Sequence, residues 1–162
     1  MASASAYSGE PPSEWVGWVL VSIQFSLLGT LAAEVLRRRS MLRWSRALPG
    51  AAALLGGGAC ALWGANGLGR APRAHPAPAA EAVLRTDGAY RWMRHPIYSG
   101  VLLAAAGAGV LAGTWRALGA FAALAAVLQA KSRYEERLLR ARFGGYEAYA
   151  ARTPRFLPRP PR

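Results

Sequence analysis

Charged residues gather in clusters along this chain, and four long stretches between the clusters are almost wholly apolar. The first runs from about Trp15 to Val35, with Gln24 and Glu34 as its only strongly polar members, and it is long enough for a bilayer core, which takes about 20 helical residues. Trp15 and Trp18 at its start suit the interfacial belt. A basic loop, Arg37 to Arg46, separates it from a second span predicted from roughly Leu48 to Leu68. Gly56-Gly57-Gly58 makes that span thin, as expected where helices approach closely, and Gly64 to Gly69 reads as a helix end with a glycine cap. A connector with Pro72, Pro76 and Pro78 follows, too rich in proline for one helix, and Asp87-Gly88 reads as a turn.

The third stretch, His95 to Trp115, opens on Pro96, a residue suited to a first helical position. Gly109 and Gly113 are spaced as a close-packing pair, and Gly113-Thr114 is a turn. The fourth, Ala117 to Ala130, is only 14 residues, about 21 Å of helix, too short to cross alone. It makes sense as the return arm of a tight hairpin whose helix continues past Lys131 and breaks near Gly144-Gly145. From Pro154 onward the arginine- and proline-rich tail reads as a loose end. The expected fold is an all-α integral membrane protein of about four transmembrane helices, with a C-terminal helical hairpin and a cytoplasmic cap. The expected division is a disordered lead at 1–14, two N-terminal membrane helices over 15–69, a loop, hairpin and cap over 70–158, and a disordered tail at 159–162.

Composition sharpens this picture. The chain has 162 residues, is 53% hydrophobic, and carries 20 Lys and Arg against 8 Asp and Glu, for a net charge of +12. Basic residues between apolar blocks are the pattern of membrane flanks and not of a nucleic-acid surface. The lone Cys60 rules out an internal disulfide and a cysteine-cluster metal site, so no metal is expected. The first 14 residues lack a basic n-region and do not read as a cleavable signal. With four spans, the Arg70–Arg94 loop and the C-terminal region share one side and hold 14 of the Lys and Arg residues, against 6 on the other. That places the loop and tail in the cytoplasm, although the short Arg37–Arg46 loop is strongly basic for an outer side.

The candidate chemistry lies at the mouth of the hairpin. A tight hairpin brings its entry and exit together, which sets Tyr90, Arg94, His95 and Tyr98 beside Lys131, Glu135 and Glu136. Such a pocket offers cations for a carboxylate, carboxylates for ribose hydroxyls or an amine, and aromatic faces for a cation. The positive end of the Pro96 helix adds attraction for an anion. Bland readings exist for most of these groups. Trp92 and Trp115 suit the interface, and Glu135 and Glu136 have Arg133 and Arg140 within helical reach. Glu34 is expected to pair locally with Arg37 or Arg38.

Three blocks carry a resemblance: Gly88-x-Tyr90-x3-Arg94-His95-Pro96-x-Tyr98-x-Gly100, then Glu135-Glu136-x2-Leu139-x3-Phe143-Gly144-x-Tyr146-x2-Tyr149, then Pro154-Arg155-x2-Pro158. Together, in this order around an apolar hairpin, they resemble the isoprenylcysteine carboxyl methyltransferase family, small integral-membrane enzymes that use S-adenosylmethionine and are related to the phospholipid methyltransferases. The resemblance implies a cofactor site of His75, Val83, Leu84, Tyr90, His95, Pro96, Tyr98 and Glu135. It implies Arg94, Lys131 and Glu136 as catalytic candidates, with Lys131 where the family has a basic residue near the substrate carboxylate. The implied reaction is direct displacement of the sulfonium methyl onto a lipophilic acid, amine or lipid. The short, arginine- and alanine-rich chain reads as bacterial, and the distribution of basic residues sets the site on the cytoplasmic face of the inner membrane. An amine acceptor needs a base, for which His95 and Glu136 are candidates. Two other readings compete: a basic membrane protein that binds anionic lipid or an acidic partner, and a lipid double-bond reductase of related architecture.

Overall fold

The structure, a computed structural model, describes residues 14–39, 43–68 and 83–160. Among these the chain is helical throughout its regular elements: α1 (Glu14–Arg38), α2 (Trp44–Gly67), a 3-10 turn (Gly88–Arg91), α3 (Pro96–Ala112), α4 (Trp115–Arg142) and α5 (Tyr146–Arg152). Helices α1 and α2 are long and apolar enough to cross a membrane. Their large side chains point outward: Trp18, Ile23, Phe25, Leu55 and Leu62 are all exposed. A soluble core helix would bury such residues, so the pattern fits lipid contact. The hydroxyls of Ser26 and Thr30 on the outer face of α1 each bond the carbonyl four residues back, at 2.9 Å, which satisfies them without water.

Helix α2 starts at Trp44, four residues before the sequence suggested, and passes through Pro49. Pro49 is the sixth residue of the helix, so it costs one interior hydrogen bond, the one a backbone N–H there would make to the Ser45 carbonyl. At the other end Leu68 caps α2 in the right-handed conformation, so the expected left-handed glycine cap is not formed there, and Gly69 lies outside the described residues. Gly67 has another use: a side chain at this position would come within 3.3 Å of the Tyr90 ring.

Helices α2 and α3 run antiparallel with their backbones touching. Gly50, Gly57 and Gly64 recur every seven residues, close to two turns, and so lie along one face. They meet Gly107, Gly100 and Pro96 of α3 in turn. A Cβ on Gly57 would sit 2.5 Å from the carbonyl oxygen of Gly100, and one on Gly100 would sit 2.5 Å from that of Gly57. The expected close-packing pair, Gly109 and Gly113, does not serve this purpose. Gly109 faces nothing within 4 Å, and Gly113, at φ 61°, caps α3 in the left-handed conformation.

The hairpin is as expected: Gly113 turns the chain and Thr114 caps α4 by accepting from the Ala117 amide at 3.1 Å. Helix α1 packs antiparallel to α4 over a core of Leu31, Ala105, Ala108, Ala117, Leu124 and Leu128. Glu34 pairs with Arg37 at 3.6 Å, as the sequence suggested, but it is also buried and accepts from the Thr114 hydroxyl at 2.9 Å, tying α1 to the hairpin turn.

Beyond α4 the chain folds back. The tail from Pro154 is not a loose end, contrary to the sequence reading. The carbonyls of Pro154 and Arg155 accept from the amides of Arg94 and His95 at 2.9 and 3.1 Å, and the Arg159 amide donates to Trp92 at 3.2 Å. The Ser99 hydroxyl donates to the Phe156 carbonyl at 2.7 Å. Amides ahead of a helix start have no partner within the helix, and the irregular proline-rich tail supplies acceptors.

Candidate functional site

Pro96 starts α3 and leaves His95 just outside it, with φ −126° and ψ 62°. The His95 ring is buried and stacks on Tyr98, one turn into the helix, at 5.3 Å and 2° between planes. Its Nε2 is 3.1 Å from Glu136 Oε1, and its Nδ1 is 3.6 Å from Glu135 Oε2. An ionised carboxylate only accepts, so Nε2 carries the proton in the shorter contact. The two consecutive glutamates of α4 thus flank one imidazole from two directions, and their environments differ sharply.

Glu136 is fully buried and saturated. Arg155 reaches it with Nε at 2.9 Å and Nη2 at 2.7 Å, Arg94 with Nε at 3.1 Å, and Arg140 lies at 3.6 Å. Arg94 also donates through Nη1 to the carbonyls of Ala150 and Thr153, at 2.8 and 2.6 Å, which closes the end of α5. Burial by itself would push the Glu136 carboxyl up. Hydrogen bonds from His95 and Arg155 and the charge of Arg94 override it and hold the group well below the usual carboxylate range. Its charge in turn raises Arg155, chiefly through their hydrogen bond. This cluster joins the loop before α3, the helix α4 and the tail around one carboxylate.

Glu135 is the more open of the pair, with 29% of its side chain exposed. It accepts from the Tyr98 hydroxyl at 3.0 Å. Lys131, one turn earlier, is fully buried, lies 5.3 Å from the centre of the Tyr98 ring, and donates to Gln24 of α1 at 2.8 Å. Tyr90 packs beside the end of α2 at Gly67, and its carbonyl accepts from the Tyr149 hydroxyl at 2.7 Å. Burial first, and then the charge of Glu135, push the Tyr90 phenol up, so it stays protonated. Burial and then the charge of Glu136 push Tyr146 up to about 12. Its hydroxyl is buried with no hydrogen-bond partner among the described residues.

Seven of the sequence-derived site residues therefore converge: Tyr90, Arg94, His95, Tyr98, Lys131, Glu135 and Glu136, with Pro96 fixing the start of α3. Leu84 is half-buried, whereas Val83 is 75% exposed. His75 lies outside the described residues. Gln24 and Arg155 were not among the sequence candidates for the site. A glutamine in an apolar span was the available signal for the first, since polar groups there need a partner. Arg155 stood in a recognised block, but nothing in its spacing names Glu136 as its partner.

A family model described as phospholipid methyltransferase matches residues 45–145, taking in α2, the polar mouth, the hairpin and all of α4. No curated protein and no solved structure matches the chain.

Proposed function

The chain belongs to the phospholipid methyltransferase family, and from that premise we propose that it is an S-adenosylmethionine-dependent methyltransferase of the membrane, acting on a lipid or lipophilic small molecule. Alongside α1 and α2, α3 supplies a shorter apolar span of 17 residues, about 26 Å, and the apolar half of α4 returns beside it. In this reading four helices cross an inner bacterial membrane and the Arg94–Glu136–Arg155 cap faces the cytoplasm.

The observation that carries the reading is the open carboxylate of Glu135 beside the stacked rings of Tyr98 and His95. The donor set fits the cofactor: a partly open carboxylate suits ribose hydroxyls or an ammonium, and aromatic faces suit a sulfonium. When bound, the cofactor supplies an electrophilic methyl group. The protein's part is to align an acceptor and exclude water. Lys131 is our candidate to hold an acidic group of the acceptor. His95 is the candidate to hold a proton if the acceptor is an amine. Glu136 and Arg94, already committed to each other and to the tail, act as positioning residues and not as proton carriers.

Labelled S-adenosylmethionine is expected to bind the detergent-solubilised protein. Replacing Glu135 with alanine should weaken binding at least ten-fold while helicity is kept. Wild-type affinity in Glu135→Ala would sink this site, and NADPH binding without competition by S-adenosylmethionine would favour the reductase.

A further inference from the structure

At the end of the bundle opposite the candidate site, α1 finishes, α2 begins and the α3–α4 turn lies between them. Six arginines sit here: Arg37, Arg38, Arg39, Arg43, Arg46 and Arg116. Among the described residues Glu34 is the only carboxylate at this end, and it is already held by Arg37 and Thr114. The Arg46 guanidinium lies against Gly113, where any side chain would collide with it. Beside it is an open cleft of about 450 Å³ lined by Glu34, Arg38, Gly113, Thr114, Trp115 and Arg116. A second cleft of about 370 Å³ adjoins it along the hairpin, lined by Gly109, Gly113, Thr114, Trp115 and Leu118. Gly109 lines it, where an added Cβ would meet nothing within 4 Å, and Trp115 and Leu118 are exposed beside it.

We propose that this double cleft binds an anionic phospholipid, with the phosphate at Arg116 on its wall, Arg46 at its edge against Gly113, and an acyl chain along Gly109 and Leu118. The inference rests on the membrane reading but not on the methyltransferase reading, and the site is separate from the polar mouth. A free anion would need only the basic half. The apolar half, contiguous with it and level with the exposed Trp44 and Trp115 of an interfacial belt, favours a lipid. It also accounts for a strongly basic loop on the side where the positive-inside rule expects few cations.

The full chain, reconstituted in vesicles of equal phosphatidylcholine and phosphatidylglycerol and then solubilised gently, should retain phosphatidylglycerol in excess. Arg46→Gln and Arg116→Gln, both at exposed positions, should each lower that preference about five-fold. Gly109→Leu, which leaves the charge intact, should reduce retention by filling the groove. Equal retention of the two lipids by the wild type, or unchanged preference in both arginine variants, overturns the proposal. Displacement of the retained lipid by inorganic phosphate at constant ionic strength would identify a free-anion site instead and also overturn it. Cofactor binding measured on the same samples reports separately on the polar mouth.

Discussion

Gln24 and Lys131 are 107 residues apart and meet inside the bundle at 2.8 Å. A buried ammonium needs an acceptor, and the Gln24 amide oxygen is one that α1 provides at a depth where water is scarce. Gln24→Leu leaves Lys131 short of that partner and should cost about 1–3 kcal/mol, read as a lower midpoint in unfolding of the solubilised protein. Gln24→Glu keeps an acceptor and should retain most of the stability. Tyr146 presents the reverse case. Its hydroxyl is buried without a partner among the described residues, so Tyr146→Phe removes an unsatisfied group while keeping the ring and its edge contact with Tyr149. The variant should unfold at the same or a higher temperature. A lower temperature would show that the hydroxyl is paired. Neither feature was legible in the sequence: a glutamine in an apolar span announces that it needs a partner but not which one, and nothing around Tyr146 announces that its hydroxyl is buried.

At the scale of elements, the hairpin was the most legible part of the chain. A charge-free run opened by Pro96, a Gly-Thr break and a return arm too short to stand alone leave one arrangement, and that arrangement forces the two polar ends together. The glycine seam was less legible. Gly56, Gly57 and Gly58 look alike locally, yet only Gly57 faces α3. Which of three neighbours is indispensable depends on the partner backbone, and that information lies on α3. Gly57→Val should therefore separate α2 from α3 and cost about 3 kcal/mol or more, since backbone cannot yield as a side chain can. Gly56→Ala and Gly58→Ala, which meet nothing within 4 Å, should gain about 0.5–1 kcal/mol each. Titration with a denaturing detergent separates the two outcomes. The tail was the least legible element, because its arginines and prolines state a composition and not a destination.

Across the whole molecule, the charge-rich junction around Glu136 ties the cap together, and its response to pH follows from the sign of one shift. Glu136 has an ordinary value of 4.5 and is held well below it in the folded protein. Between those two values the unfolded chain binds more protons than the folded one, so stability rises with pH there and is fully present above about 4.5. As pH falls below that point, the contribution is lost progressively, and the loss is complete only below the depressed folded value. Glu136→Gln removes this titration and should flatten the acid limb of the melting curve measured from pH 3 to 8. At neutral pH the same variant leaves Arg94 and Arg155 without their carboxylate, 11% and 27% exposed. It should lose about 3–5 kcal/mol if both stay buried and less if Arg155 swings into water. Because Arg94 also closes α5 through Ala150 and Thr153, the damage should spread along the cap and not stay local. Hydrogen exchange of the Arg94 and His95 amides, which bond the tail, is the direct readout: both should exchange faster in Glu136→Gln, while the α2–α3 seam keeps its protection.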